Sequence, residues 1–152
     1  VQGKGVPVDD HDLPQPVTLI VDGANVMGSR ADGWWRDRAG AMRRLHAQLV
    51  ALAERGIAEP APEAGGSAAS QWFPDVILVV EGKARAVADE VGDEDGVRLV
   101  AARGQGDDEI ADLAGRLPGR RIVVTADREL RRRCLAKGAE VTGPRWLTRL
   151  FE

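Results

Sequence analysis

Residues 17–21, Val-Thr-Leu-Ile-Val, form an almost wholly apolar run rich in β-branched side chains, and the run stops abruptly at Asp22-Gly23-Ala24-Asn25. A short apolar run without alternation reads as a strand buried on both faces, the condition of strands in a parallel sheet covered by helices. Two further runs repeat the arrangement. One spans 75–80 and is followed by Glu81-Gly82, and the other spans 121–125 and is followed by Ala126-Asp127. Val-Arg-Leu-Val-Ala at 97–101 and a weaker Ala-Glu-Val-Thr-Gly segment bring the strand candidates to five. Between them the period changes to that of a helix. Over 36–55, apolar residues at 42, 45, 49, 52 and 53 follow helical spacing, and Gly56 supplies a stop. A helix over roughly 107–117 turns Ile110, Leu113, Ala114 and Leu117 inward. The next runs to Gly138 with Leu130, Cys134 and Leu135 inward, and Pro144 opens the last. Residues 83–95 offer one helical turn and a loop. The alternation predicts a single three-layer α/β/α domain around a parallel sheet.

A chain of 152 residues is one domain, long enough for a proper core. Residues 1–16 carry Gly, Pro and Asp with no period and are expected to be a flexible leader, leaving 17–152 as the folded domain. Residues 58–71 have the composition of a surface linker. Cys134, the single cysteine, excludes an internal disulfide and any Cys-based zinc site. His11 and His46 are the only histidines, which argues against a His-ligated metal and leaves a hard ion held by oxygen. No apolar run approaches membrane-spanning length and no signal-peptide pattern opens the chain, so no membrane partner and a cytoplasmic location are expected.

The net charge of −3 argues against non-specific coating of nucleic acid, but the charge is unevenly spread. Residues 103–152 hold eleven Lys or Arg against eight acids, so the C-terminal third is locally positive. Arg128, Arg131 and Arg132 stand at i, i+3 and i+4 after Asp127, and Lys83 and Arg103 lie in loops that follow strands. All five are candidate phosphate contacts, with a solvated face as the plain alternative. Trp34 and Trp35 read as core or staple residues for the helix that follows, with base stacking as the alternative.

Each strand-end acid has an ordinary explanation by itself. Asp22 can mark a turn or cap a helix, Asp107 or Asp108 and Asp127 can cap helices, and Glu81 can be a solvated loop residue. If strands one, two and four are neighbours, however, Asp22, Glu81 and Asp127 converge with the helix start at 107–108 beside them. Two carboxylates ~4 Å apart repel by roughly 4 kcal/mol at an effective dielectric near 20. Such a cluster should raise at least one carboxyl pKa and calls for a divalent cation, Mg²⁺ or Mn²⁺, able to act on a phosphodiester.

Val-Asp-Gly-Ala-Asn-Val-Met, Asp-Asp-Glu-Ile-Ala-Asp-Leu-Ala, Val-Val-Thr-Ala-Asp-Arg-Glu-Leu and the closing Gly-Ala-Glu-Val-Thr-Gly-Pro-Arg-Trp-Leu resemble the NYN family of PIN-like nucleases, including bacterial YacP-like ribonuclease domains. The resemblance covers roughly 17–150 and implies a five-stranded parallel sheet in the order 3-2-1-4-5. It implies a metal-dependent ribonuclease, expected to be an endoribonuclease, with Mg²⁺ or Mn²⁺ as cofactor. RNA is the implied partner, with room for a ribosome or protein partner; oligomeric state is not implied. The family's first acid falls on Asp22 and its companion Asn on Asn25. The helix-start acid falls on Asp107, with Asp108 as second candidate, and the strand-four acid on Asp127, after Thr125. Asn25 and Thr125 are then expected to orient carboxylates and the attacking water, or simply to bond the turns. Glu81 stands where similar proteins often have Asp, and its longer arm can shift the metal or leave it water-bridged. An inactive PIN-like scaffold that binds RNA or protein is the second reading. A phosphatase is the third, weakened because Asp-Gly-Ala-Asn lacks the second acid of a DxD-type motif.

Overall fold

The computed structural model describes residues 17–58, 71–91 and 96–152. The leader expected at 1–16 and most of the 58–71 linker lie outside the described residues. Five parallel strands, β1 (Val17–Asp22), β2 (Asp75–Val80), β3 (Val97–Ala101), β4 (Arg120–Val124) and β5 (Glu140–Thr142), form one sheet. Their order is β3-β2-β1-β4-β5. Among the described residues six helices accompany them: α1 (Gly23–Gly28), α2 (Arg38–Arg55), α3 (Ala86–Val91), α4 (Gly106–Arg116), α5 (Arg128–Ala136) and α6 (Pro144–Leu150). Two 3₁₀ turns, Trp34–Arg36 and Gly82–Arg85, precede α2 and α3.

Successive residues of a strand face opposite layers, and the burial follows that period. Leu19 and Val21 of β1, Val76, Leu78 and Val80 of β2, and Ile122 and Val124 of β4 join one core with Met42, Leu45, Leu49 and Leu52 of α2. Ile20, Ile77, Val79 and Val123 join the other with Ile110, Leu113 and Ala114 of α4 and Leu130 and Cys134 of α5. The three inner strands are covered on both sides, which is why their sequences are continuous apolar runs. Removing a leucine such as Leu19 or Leu113 would cost about 2–5 kcal/mol.

Two expectations are corrected here. Leu135 is 55% exposed rather than inward. Leu130 and Cys134, four apart, share the buried stripe of α5, and the next residue lies about 100° round the helix. Trp34 packs against the core, but Trp35 is 56% exposed and meets Trp34 edge-on at 6.1 Å. Only the first of the pair therefore packs against the core, and it does so half-buried.

Candidate functional site

The strand order sets β1 between β2 and β4, so their carboxyl ends form one rim. In register, Asp22 is paired with Val79 of β2, and Val21 with Val124 of β4. The chain turns at each of these ends, and the turns carry the acids. A cleft of about 380 Å³ opens there, lined by Asp22, Asn25, Glu81, Gln105, Asp107 and Asp127.

Asp22 is both strand end and helix cap. Its Oδ1 accepts the Asn25 backbone N–H at 3.3 Å, and its Oδ2 accepts the Thr125 hydroxyl at 2.8 Å. α1 starts without a connecting loop because Gly23 has no side chain: a Cβ there would lie 2.6 Å from the Val79 carbonyl oxygen. Burial raises the Asp22 carboxyl above its ordinary value, partly offset by the bonds from Thr125 and Asn25, and the like charges of Glu81 and Asp127 add to the rise. A raised acid is what the sequence predicts, but through mutual repulsion. The larger cause is burial, because β1 is the central strand.

Thr125 is fully buried at the end of β4 and links the two flanking acids. Its hydroxyl donates to Asp22 and accepts the Asp127 backbone N–H at 3.2 Å. Asp127 itself caps α5, with Oδ1 accepting the Leu130 N–H at 3.0 Å. The Asn25 side-chain oxygen accepts the Ala126 N–H at 2.8 Å and so fastens the start of α1 to the β4–α5 turn. These bonds are the capping and turn chemistry that explains each residue on its own. Here the same bonds also hold the side chains around one cleft.

Across the cleft the arrangement differs. The N-cap of α4 is Gln105 and makes no side-chain cap bond. Glu81 Oε2 instead accepts the N–H of Gly106, reaching over from the end of β2. A Cβ on Gly106 would strike that same oxygen. Asp107 lines the cleft, but its Oδ2 lies 3.8 Å from Arg133 of α5, and its Oδ1 accepts the Asp108 N–H. Asp108 is a correction: its side chain is 73% exposed, pairs with Arg133 at 3.1 Å and is not part of the lining. One residue further along a helix turns a side chain by about 100°, enough to carry Asp108 away from Asp22 and Asp127. Neither Asp107 nor Asp108 caps α4.

The candidate phosphate contacts separate. Arg128 and Arg103 are exposed. Arg132 is engaged by Glu129 one turn back, and Arg131 reaches the Thr125 carbonyl oxygen at 3.4 Å. Of the three arginines expected on one face, Arg128 makes no such contact, while Arg131 and Arg132 each have a partner on or next to their own helix. Lys83 sits in the 3₁₀ turn after β2, and its side chain lies outside the described residues. Arg133 and Gln105 belong to the site without any signal in the sequence. Nothing local distinguishes Arg133 from Arg132, and only the packing of α5 beside α4 turns it toward the acids.

Oxygen donors alone line the acidic side, which suits a hard divalent ion. Among the described residues, however, no three Asp, Glu, His or Cys side chains stand close enough to form a ligand group as they are placed. Among the described residues there is also no helix long and apolar enough to cross a membrane.

No protein-family model matches this chain, and no curated protein matches it. Among solved structures it is similar to a point mutant of Rae1 (YacP) from Bacillus subtilis, at 18% sequence identity and a TM-score of 0.63. That likeness covers 88% of this chain and 74% of the other. The fold is therefore YacP-like, a five-stranded parallel sheet flanked by helices in the order expected from the sequence motifs.

Proposed function

We propose that this protein is a divalent-metal-dependent ribonuclease, acting as an endoribonuclease, with the acidic cleft as its active site. The observation that carries the reading is the convergence of Asp22, Glu81, Asp107 and Asp127 on one cleft, with Asp22 and Asp127 joined through the buried Thr125 hydroxyl. The motif resemblance to YacP-like ribonuclease domains and the YacP-like fold point the same way. RNA is the proposed partner.

Asp22 and Asp127 are the residues we assign to holding Mg²⁺ or Mn²⁺, with Glu81 and Asp107 reached through water. A spread of carboxylates that does not gather into a ligand group suits an ion that keeps part of its hydration shell. When bound, such an ion would polarise a phosphoryl oxygen and lower the pKa of water. Thr125 holds Asp22 and the start of α5 in fixed relation, which removes reorganisation from the reaction. Asp127 lines the cleft with one carboxylate oxygen bonded to the Leu130 N–H, and the other is the one we assign to the ion. Asn25 positions the β4–α5 turn, and its amide nitrogen is available for a water or phosphate oxygen. Arg128, beside Asp127, is assigned to the RNA backbone.

The same lack of a ready ligand group, with Arg133 already neutralising Asp107, is what an inactive RNA-binding scaffold would present. Cleavage of a panel of structured and single-stranded RNAs with Mn²⁺ or Mg²⁺, with and without chelator, separates the two. The ribonuclease reading expects internal cuts that chelator abolishes. RNA binding without metal-stimulated cuts in any substrate would favour the scaffold.

A further inference from the structure

A second recess adjoins the acidic cleft and shares Ala24 and Glu81 with it. It has a volume of about 190 Å³ and is walled by Met27, Trp34, Arg38 and Met42. Met27 and Met42 are buried, so the recess is lined by polarizable thioethers, a surface that packs well against a flat ring. Trp34 is half-buried, and the Arg38 guanidinium lies 5.5 Å from the centroid of its ring. The recess is apolar inside, has a cation and an indole at its edge, and opens beside carboxylates that are here assigned to a phosphodiester.

We infer that this recess receives one nucleobase of single-stranded RNA, next to the phosphodiester held at the acidic cleft, with Trp34 as the stacking wall. The inference rests on the ribonuclease reading for the position of the phosphate. A base is the flat group with apolar faces and polar edges that a nucleic acid carries beside its phosphates, and stacking on an aromatic face is tolerant of sequence. Arg38 adds attraction both to the ring system and to the backbone. In a duplex the bases are stacked and paired, so entering the recess would require unpairing first. The recess therefore selects unpaired segments. Exposed Trp35, with Arg36 at 5.7 Å from its ring centroid, extends the same basic and aromatic surface outward.

The test compares two ligands in chelator, so that cleavage plays no part: a short fluorescent oligouridylate and a chain of the same length whose sugars carry no bases. Wild type should bind the oligouridylate more tightly. Trp34→Leu, which keeps an apolar group against the core, should reduce that preference by about 5- to 100-fold while leaving affinity for the base-free chain unchanged. Trp34→Phe should keep most of it. Arg38→Ala alters only an exposed residue and should weaken both ligands, the oligouridylate more; it stands as the deciding variant should Trp34→Leu not fold. An equal preference in wild type and folded Trp34→Leu, or equal loss of both ligands in either variant, overturns the inference. Failure of wild type to bind the oligouridylate would overturn it, and the ribonuclease reading would still be decided separately by metal-stimulated cleavage. A Trp34-dependent preference in a protein that cuts no RNA would uphold the recess and defeat the nuclease.

Discussion

The two walls of the acidic cleft hold their carboxylates in different ways. On the β1–β4 wall, Asp22 is largely enclosed and receives a hydroxyl and a backbone N–H, and Asp127 is tied to it through Thr125. On the α4 wall, Asp107 and Asp108 share the guanidinium of Arg133, and Asp108 stands mostly in solvent. The first wall keeps its negative charge and fixes its position with neutral donors. The second has its charge partly cancelled by a cation on a long flexible arm, in a dielectric where such pairs contribute little. On the function proposed above, geometry that must be ready before a substrate arrives is assigned to β1 and β4, and the adjustable side to α4.

The largest expected effect is on cleavage. Asp22→Asn and Asp127→Asn each keep shape and remove charge from the fixed wall, and each should lower the rate by about 100-fold or more without loss of fold. Asp108→Asn should stay within about 3-fold of wild type, because its carboxylate is already outside the cleft. Initial rates on one RNA that wild type cuts, with circular dichroism of each variant, check this; equal losses in all three variants would erase the distinction between the walls.

Next comes Thr125→Val, which keeps the volume and deletes the hydroxyl between the two acids. A buried acceptor on Asp22 and the N–H of Asp127 lose their partner, at a cost of about 1–3 kcal/mol in denaturant unfolding. Cleavage should fall by about 10-fold or more, the usual effect of losing a group that orients a ligand. A variant as stable and as active as wild type would show that the bridge is incidental.

A pH series sharpens the contrast further. The folded state raises the Asp22 carboxyl above its ordinary value of 3.8, so folding binds this proton more tightly than the unfolded chain does. The stability that the proton contributes is complete below pH 3.8 and is lost as pH rises through the raised folded value. Asp22→Asn mimics the protonated form, so at neutral pH it should melt above wild type, and the gap should close on acidification. Mn²⁺ present at ~100 times its dissociation constant should stabilise wild type by about 2.7 kcal/mol, and the Asn variant by less. A destabilised Asn variant together with no metal shift would mark Asp22 as a helix cap alone.

The smallest effect is expected at Arg133. Its removal should cost at most about 1 kcal/mol, as partly exposed ion pairs do, and should leave cleavage within about 3-fold while freeing Asp107. A loss approaching that of Asp127→Asn would move the α4 wall into the fixed part of the site.

Layers and rim are legible in the chain before it is folded. β1 and β2 end within one residue of their apolar runs, because a strand covered on both faces tolerates a charge only at its ends. For the same reason Asp22, Glu81 and Asp127 had to lie at strand ends. Motif resemblance supplied the strand order that put those ends together, which local periodicity does not contain. Which helix-start acid faces the cleft is settled by packing, since Asp107 and Asp108 differ by about 100° around α4 and by nothing in their local pattern. Packing also makes Glu81 cap α4 from another strand and sends Arg133 rather than Arg132 across to the acids. It separates Trp34 from Trp35 and Cys134 from Leu135 as well. Each of these outcomes depends on how helices are set on the sheet and against one another, and side-chain spacing along one segment carries no record of it.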